Sequence, residues 1–187
     1  FKSISGVTFF EKAGRVSEAV TRNVIVDKQA PAFVSDTVKI STAKVYTDWY
    51  SAPVLVVEGK LTETTGISTL QYSTDNSNWT SFNITQSNTE YTFTGNISVT
   101  EEWQAKTIYI RATDTLGNTS ETSIIGINVD RNKPEVSIEG ENHFISKNTA
   151  NLTLSGSATD TGSGIASVKA KIGNGEYKNA TIQGDKY

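Results

Sequence analysis

The feature that most constrains this chain is its likeness to itself. Displaced by 103 positions, "VTFFEKAGRVSEAVTRNVIVDKQAPAF" (7–33) lies without a gap over "IRATDTLGNTSETSIIGINVDRNKPEV" (110–136). Gly14 meets Gly117, Ser17 meets Ser120, and Val26, Asp27 and Pro31 meet Val129, Asp130 and Pro134. A second block, "GKLTETTGISTLQYSTDNSNW" (59–79), runs along "GSATDTGSGIASVKAKIGNGEY" (156–177) with one inserted residue. There Gly59, Thr62 and Thr64 meet Gly156, Thr159 and Thr161, and Gly66, Ile67 and Asn76 meet Gly164, Ile165 and Asn174. Two collinear blocks with the same turn chemistry read as a tandem repeat. On that reading residues 1–30 are the C-terminal strands of one unit, 31–133 a complete unit, and 134–187 the N-terminal strands of a third.

A unit of about 100 residues with a turn signal every 8–12 residues has the size and rhythm of an immunoglobulin-like sandwich. The expected fold is therefore all-β: antiparallel, immunoglobulin-like β-sandwiches in tandem. Composition agrees, because the chain holds 26 Thr and only 3 Pro, with Asn, Asp and Gly between alternating segments. Strands are expected at 33–40, 53–61, 67–74, 79–84, 90–98, 105–113 and 120–129. Period-2 alternation puts Leu70 and Tyr72 on one face, with Val168, Ala170 and Ile172 of the same parity. It turns Ile108, Ile110 and Ala112 inward and leaves Tyr109 and Arg111 outside. "TDNSNW" and "IGNGEY" are expected hairpin turns, where Asn and Gly tolerate positive φ. "EKAGRVSEAV" contains helix formers, but its match to "DTLGNTSETS" makes it a turn and a strand.

A net charge of −3 gives no electrostatic ground for binding nucleic acid or an anionic membrane. No apolar run approaches the ~20 residues that span a bilayer, so this segment is not expected to insert in one. With 0 Cys, each unit must stand on its core without disulfides. With 0 Met, the chain is expected to be cut from something longer, any export signal lying elsewhere.

"VDKQAP" and "VDRNKP" at unit starts, "GIS" leading to "YSTDNSNWTSF", and "YIRATDTLGNTSE" before a linker resemble the bacterial immunoglobulin-like repeats of large secreted and cell-surface proteins, of adhesin or S-layer type. The resemblance implies an extracellular, non-enzymatic role. Residues 1–30 depart from the pattern, with Glu11 and Arg15 at the positions of Asp114 and Asn118.

Candidate chemistry is sparse. His143 is the only His and is expected in a turn, without a nucleophile elbow. One His and no Cys leave no zinc site, and "TGSGIAS" lacks the helix and Lys of a phosphate cradle. Glu101 and Glu102 are adjacent, point apart, and read as a solvated pair rather than two acids across a cleft. Trp49, Tyr50, Trp79 and Trp103 read as core or rim packing, with a sugar-stacking platform as the alternative. N-x-S/T sequons occur at Asn78, Asn83, Asn96, Asn118, Asn151 and Asn179. No Lys–Asn–acid trio for an isopeptide bond stands out.

Acidic residues give the sharper candidate. In such a sandwich the incoming linker, the loop after strand two and the loop between the last two strands share one pole. They supply Asp27, Glu63 and Asp114, with Asn118 nearby, and Asp130 and Asp160 would serve the next junction. Oxygen donors of this kind suit Ca²⁺; the competing reading is that Asp27 and Asp114 cap turns. The leading function is a structural spacer or adhesin-type stalk presenting a distal binding domain. Its partners would be the neighbouring units of the same chain, with host or cell-wall glycans or proteins met through other domains. The alternative is an accessory module, spacer or weak glycan binder, of an extracellular carbohydrate-active enzyme.

Overall fold

A computed structural model describes residues 2–7, 10–18, 20–24, 26–139 and 153–183, with side chains placed outside 2–7 and 20–24. Among the described residues there is no helix, and so none long and apolar enough to cross a membrane. The first strands are β1 (Lys2–Val7), β2 (Val20–Val24), β3 (Ala32–Phe33), β4 (Lys39–Ile40) and β5 (Trp49–Tyr50). Then come β6 (Val54–Thr62), β7 (Ile67–Ser73), β8 (Thr80–Ser81), β9 (Asn83–Ser87), β10 (Glu90–Ser98), β11 (Trp103–Asp114) and β12 (Thr119–Val129). The last are β13 (Glu135–Ile138), β14 (Gly156–Thr159), β15 (Lys169–Ala170) and β16 (Lys178–Asn179).

Two five-stranded sheets make a β-sandwich: one in the order β3-β6-β10-β9 with β4 also on β6, the other in the order β5-β12-β11-β7-β8. The pairs β1·β2, β13·β14 and β15·β16 are separate two-stranded sheets. The expected inward parity holds for Ile108, Ile110, Ala112 and Leu70, all buried, while Arg111 and Tyr109 stay partly exposed on the other face. Tyr72 corrects the expectation of full burial. It is half-buried near the edge strand β8, with its ring 5.0 Å from that of Phe82.

The expected strand at 33–40 is two short ones. Asp36 takes φ 60° between them, and Thr37 donates to the Val34 carbonyl through both its N–H and its hydroxyl. The expected strand at 79–84 is likewise split into β8 and β9, separated by the buried Phe82. Residues 11–18 form no helix, as the repeat required.

The chain packs as two compact units: Phe1–Lys39, Glu58–Gly95 and Ile108–Ser123 in one, Ile40–Val57, Asn96–Thr107 and Ile124–Tyr187 in the other. The first is organised by aromatic rings. Phe82 donates its N–H to the Leu70 carbonyl of one sheet and sets its ring 4.8 Å from Phe93 of the other. Phe33 meets Phe93 edge-on at 6.3 Å. Room for these rings comes from inward-facing glycines: a Cβ at Gly59 would lie 2.4 Å from Phe93, and one at Gly95 2.4 Å from Phe82. The second unit buries Tyr50, Leu55, Val57, Ile97, Val99, Trp103, Ile127 and Val129. Its strand β13 is exposed throughout, Val136 at 71% and Ile138 at 67%.

Strand registers recur at the spacings of the aligned sequence blocks. β3·β6 pairs Ala32 with Thr62 and Phe33 with Leu61; β13·β14 pairs Glu135 with Thr159 and Val136 with Ala158. β7·β8 pairs Gln71 with Ser81 and Tyr72 with Thr80; β15·β16 pairs Lys169 with Asn179 and Ala170 with Lys178. Each later pair is the image of the earlier one under the sequence alignment.

Gly95→Ala tests the aromatic packing. Overpacking of this kind costs about 1–3 kcal/mol, so chemical denaturation should show a loss in that range. A change within about 0.5 kcal/mol, the usual effect of a neutral surface substitution, would contradict it.

Candidate metal centre

Asp27, Glu63 and Asp114 are brought together as expected: one carboxylate oxygen from each lies within 4.8 Å of the others. Oxygens about 2.4 Å from a common Ca²⁺ have that same maximum spread. Glu63 is 6% exposed and Asp114 1%, while Asp27 is partly exposed.

Local sequence places each group. Glu63 ends β6, where its Oε1 accepts from Thr64 N at 2.6 Å, Thr65 N at 2.8 Å and the Thr65 hydroxyl at 3.0 Å. Asp114 ends β11, and its Oδ1 accepts from the N–H groups of Leu116 and Asn118, both at 2.8 Å. Asp27 Oδ1 accepts from Gln29 N at 2.9 Å. Asp27 and Asp114 therefore do cap turns, as the competing reading held. Those contacts use Oε1 of Glu63 and Oδ1 of Asp27, and among the described residues the second oxygen of each accepts no hydrogen bond.

Asn118 connects the loop to the linker. Its Nδ2 donates to Asp114 Oδ2 at 2.7 Å and to the Asp27 carbonyl at 3.3 Å. The Ser120 hydroxyl donates to the Pro31 carbonyl at 2.6 Å, so side chains of the last-strand loop grip both ends of residues 27–31. Burial pushes the Asp114 carboxyl up, but hydrogen bonds from the Asn118 side chain and from the Asn118, Leu116 and Gly117 backbone outweigh it and hold it below 3.8.

The loop at residues 11–15 has the same backbone with different side chains. Glu11 N–H bonds the Arg15 carbonyl at 3.1 Å, as Asp114 N–H bonds that of Asn118 at 3.0 Å. Gly14 and Gly117 take φ 84° and 91°, which an L side chain resists. Where Asp114 pairs with Asn118, Glu11 pairs with Arg15, so the departure in sequence is a coupled replacement.

Asp130 and Asp160 are placed differently. Asp130 Oδ1 accepts from Asn132 N at 3.1 Å, reproducing the Asp27 turn, and its Oδ2 accepts from Ser163 N at 2.8 Å and the Ser163 hydroxyl at 2.6 Å. Burial raises the Asp130 carboxyl, and hydrogen bonds from the Ser163 side chain and backbone, from the Asn132 backbone and with the Glu102 side chain bring it below its ordinary value. Asp160 Oδ1 turns into its own loop, accepting from Gly162 N and Gly164 N. Among the described residues these two do not join a third acid in a cluster like that of Asp27.

Glu102 was misread in sequence as half of a solvated pair. It is half-buried; its Oε2 accepts from the Thr161 hydroxyl at 3.2 Å, its Oε1 is closed off from solvent, and its side chain adjoins the Asp130 carboxyl. Gln104 beside it donates to the Thr161 carbonyl at 3.1 Å.

The aromatic candidates pack. Trp103 and Tyr50 are buried, and the Arg111 guanidinium lies 3.9 Å from the ring centre of Trp79, occupying one face of it. The Asn78 side chain is bonded to Asp75 at 2.7 Å. His143 and Asn151 lie outside the described residues. No protein-family model matches the chain, and no curated protein matches it either.

Asp75 gives the clearest pH signature. The Asn78 side chain, then the backbone of Asn78 and Ser77 and the Ser73 hydroxyl, hold its carboxyl far below 3.8. With folded values depressed, Asp75, Asp114 and Asp130 contribute stability that is present above the ordinary carboxylate range and lost as pH falls through the folded values. Carboxyl NMR titration should therefore give midpoints below 3.8 for Asp75 and Asp114, with melting temperature dropping below about pH 4. Midpoints at or above the ordinary value, or an unchanged melting temperature in acid, would refute the hydrogen-bond assignments.

Proposed function

We propose that the chain is a non-enzymatic segment of a bacterial extracellular or cell-surface protein, built of tandem immunoglobulin-like units that act as a spacer or stalk. The observation carrying this reading is the recurrence of registers: Ala32–Thr62 and Phe33–Leu61 return as Glu135–Thr159 and Val136–Ala158. A sequence that lays down the same strand pairings again about 100 residues on is suited to setting distance. Linkers bounded by Pro31 and Pro134 favour limited bending, because Pro fixes φ and restrains the residue before it. In the same reading Ca²⁺ binds Asp27, Glu63 and Asp114, neutralising the carboxylates and holding the linker at residues 27–31 in the path gripped by Asn118 and Ser120. The capped Trp79 ring does not favour the weak glycan-binding alternative.

Reach is the property to measure. With one, two or three copies of residues 31–133 placed between a bacterial surface anchor and an epitope, accessibility to a bulky antibody should rise with each copy, and a glycan array should show no binding. Accessibility independent of copy number would defeat the spacer reading. Saturable glycan binding would favour the accessory-module alternative.

A further inference from the structure

We infer that Asn128 is a positioning residue that rivets β5 to β12 and β11 and thereby sets the resistance of this part of the sandwich to being pulled lengthwise. β5 pairs with β12 in parallel, Trp49 beside Asn128 and Tyr50 beside Val129. The N–H of Asp130 continues the ladder to the Tyr50 carbonyl at 2.8 Å, and Arg131 Nη1 reaches the Ser51 carbonyl at 3.0 Å. Asn128 lies within this pairing and bonds in two directions. Its Nδ2 donates to the Asp48 carbonyl at 3.5 Å, and its Oδ1 accepts from Ala105 N at 2.8 Å. Ala105 takes φ 50°, so its N–H is presented to a side chain by an irregular backbone in β11. Tyr50, Val129 and Trp103 beside the pairing are buried.

Parallel pairing decides how tension is borne. The chain enters β5 at one end of the pair and leaves β12 at the other. Tension applied before residue 48 and after residue 131 therefore slides the strands past each other. The Asp48, Tyr50 and Ser51 contacts are then strained together, where a hairpin opened from its end would lose them one at a time. Asn128 adds a bond to the shear plane and anchors that plane to β11. The spacer reading supplies a use for this resistance, but the unfolding force is measurable whether or not that reading holds.

The whole chain, held through its two ends in single-molecule force spectroscopy, provides the test. Losing one such hydrogen bond should speed unfolding at fixed force by about fivefold in Asn128→Ala. Asn128→Asp keeps the acceptor for Ala105 and loses the donor to Asp48, so it should fold normally and still unfold faster. A second pull, through cysteines replacing the exposed Thr85 and Glu121, does not adjoin β5, and there the Asn128 variants should match the parent. Equal unfolding rates for parent and both variants in the end-to-end pull would overturn the inference. So would the same acceleration in both pulling directions, which would mark Asn128 as a general contributor to stability.

Discussion

Three carboxylates converging at one end of a sandwich repel one another, and the loops around them are built against that repulsion. Glu63 and Asp114 are nearly closed off from water and so cannot rely on solvent screening. Each instead draws on backbone N–H groups of the loop that follows it, which fixes the conformation of residues 63–65 and 114–118. The linker depends on the same arrangement, because the Asn118 amide that satisfies Asp114 also holds the Asp27 carbonyl. Hydrogen-bond donors stabilise the charges without removing them. In the proposed account a divalent cation does the rest, and the linker's direction becomes conditional on it.

The loops can meet because the strands beneath them are placed by packing. Phe82 and Phe93 fill the space between the sheets only where Gly59 and Gly95 leave it open. That packing fixes how far β6 and β10 lie from β7 and β11, and hence where β6 and β11 deliver Glu63 and Asp114. The β7·β11 register shifts at its last pair, where Thr113 faces Thr69 and Asp114 faces Ile67, so that β7 carries Ser68 as an extra residue. Irregularities of this kind commonly end regular pairing at the rim of a sheet, and here Asp114 is the last residue paired.

Much of this could be read in the sequence, and the exceptions have physical reasons. Long strands with one buried face declare themselves by alternation, which is why β6, β10, β11 and β12 came within two residues of their expected bounds. β5 escaped notice because two residues carry no periodicity and its parallel pairing is set by distant Asn128 and Val129. Tyr72 shares the parity of Leu70, but parity says nothing of distance from a sheet edge. The acidic cluster was legible because linker and loops fall at one pole of the expected fold. The Glu102 contact was not, since its partner Thr161 lies 59 residues away. The exchange of Asp114–Asn118 for Glu11–Arg15 reads in sequence only as a departure from the pattern, whereas both loops make the same backbone bonds.

The most direct measurement is a calorimetric titration of the chain with Ca²⁺, repeated on Glu63→Gln, with thermal unfolding followed in parallel. The account predicts saturable binding with a dissociation constant of about millimolar or tighter, as in extracellular modules. It also predicts a melting temperature that rises with Ca²⁺, and the loss of both effects in Glu63→Gln. No binding heat and a melting temperature indifferent to Ca²⁺ would contradict it, leaving Asp27, Glu63 and Asp114 as turn caps whose charges the loop backbone alone holds in place.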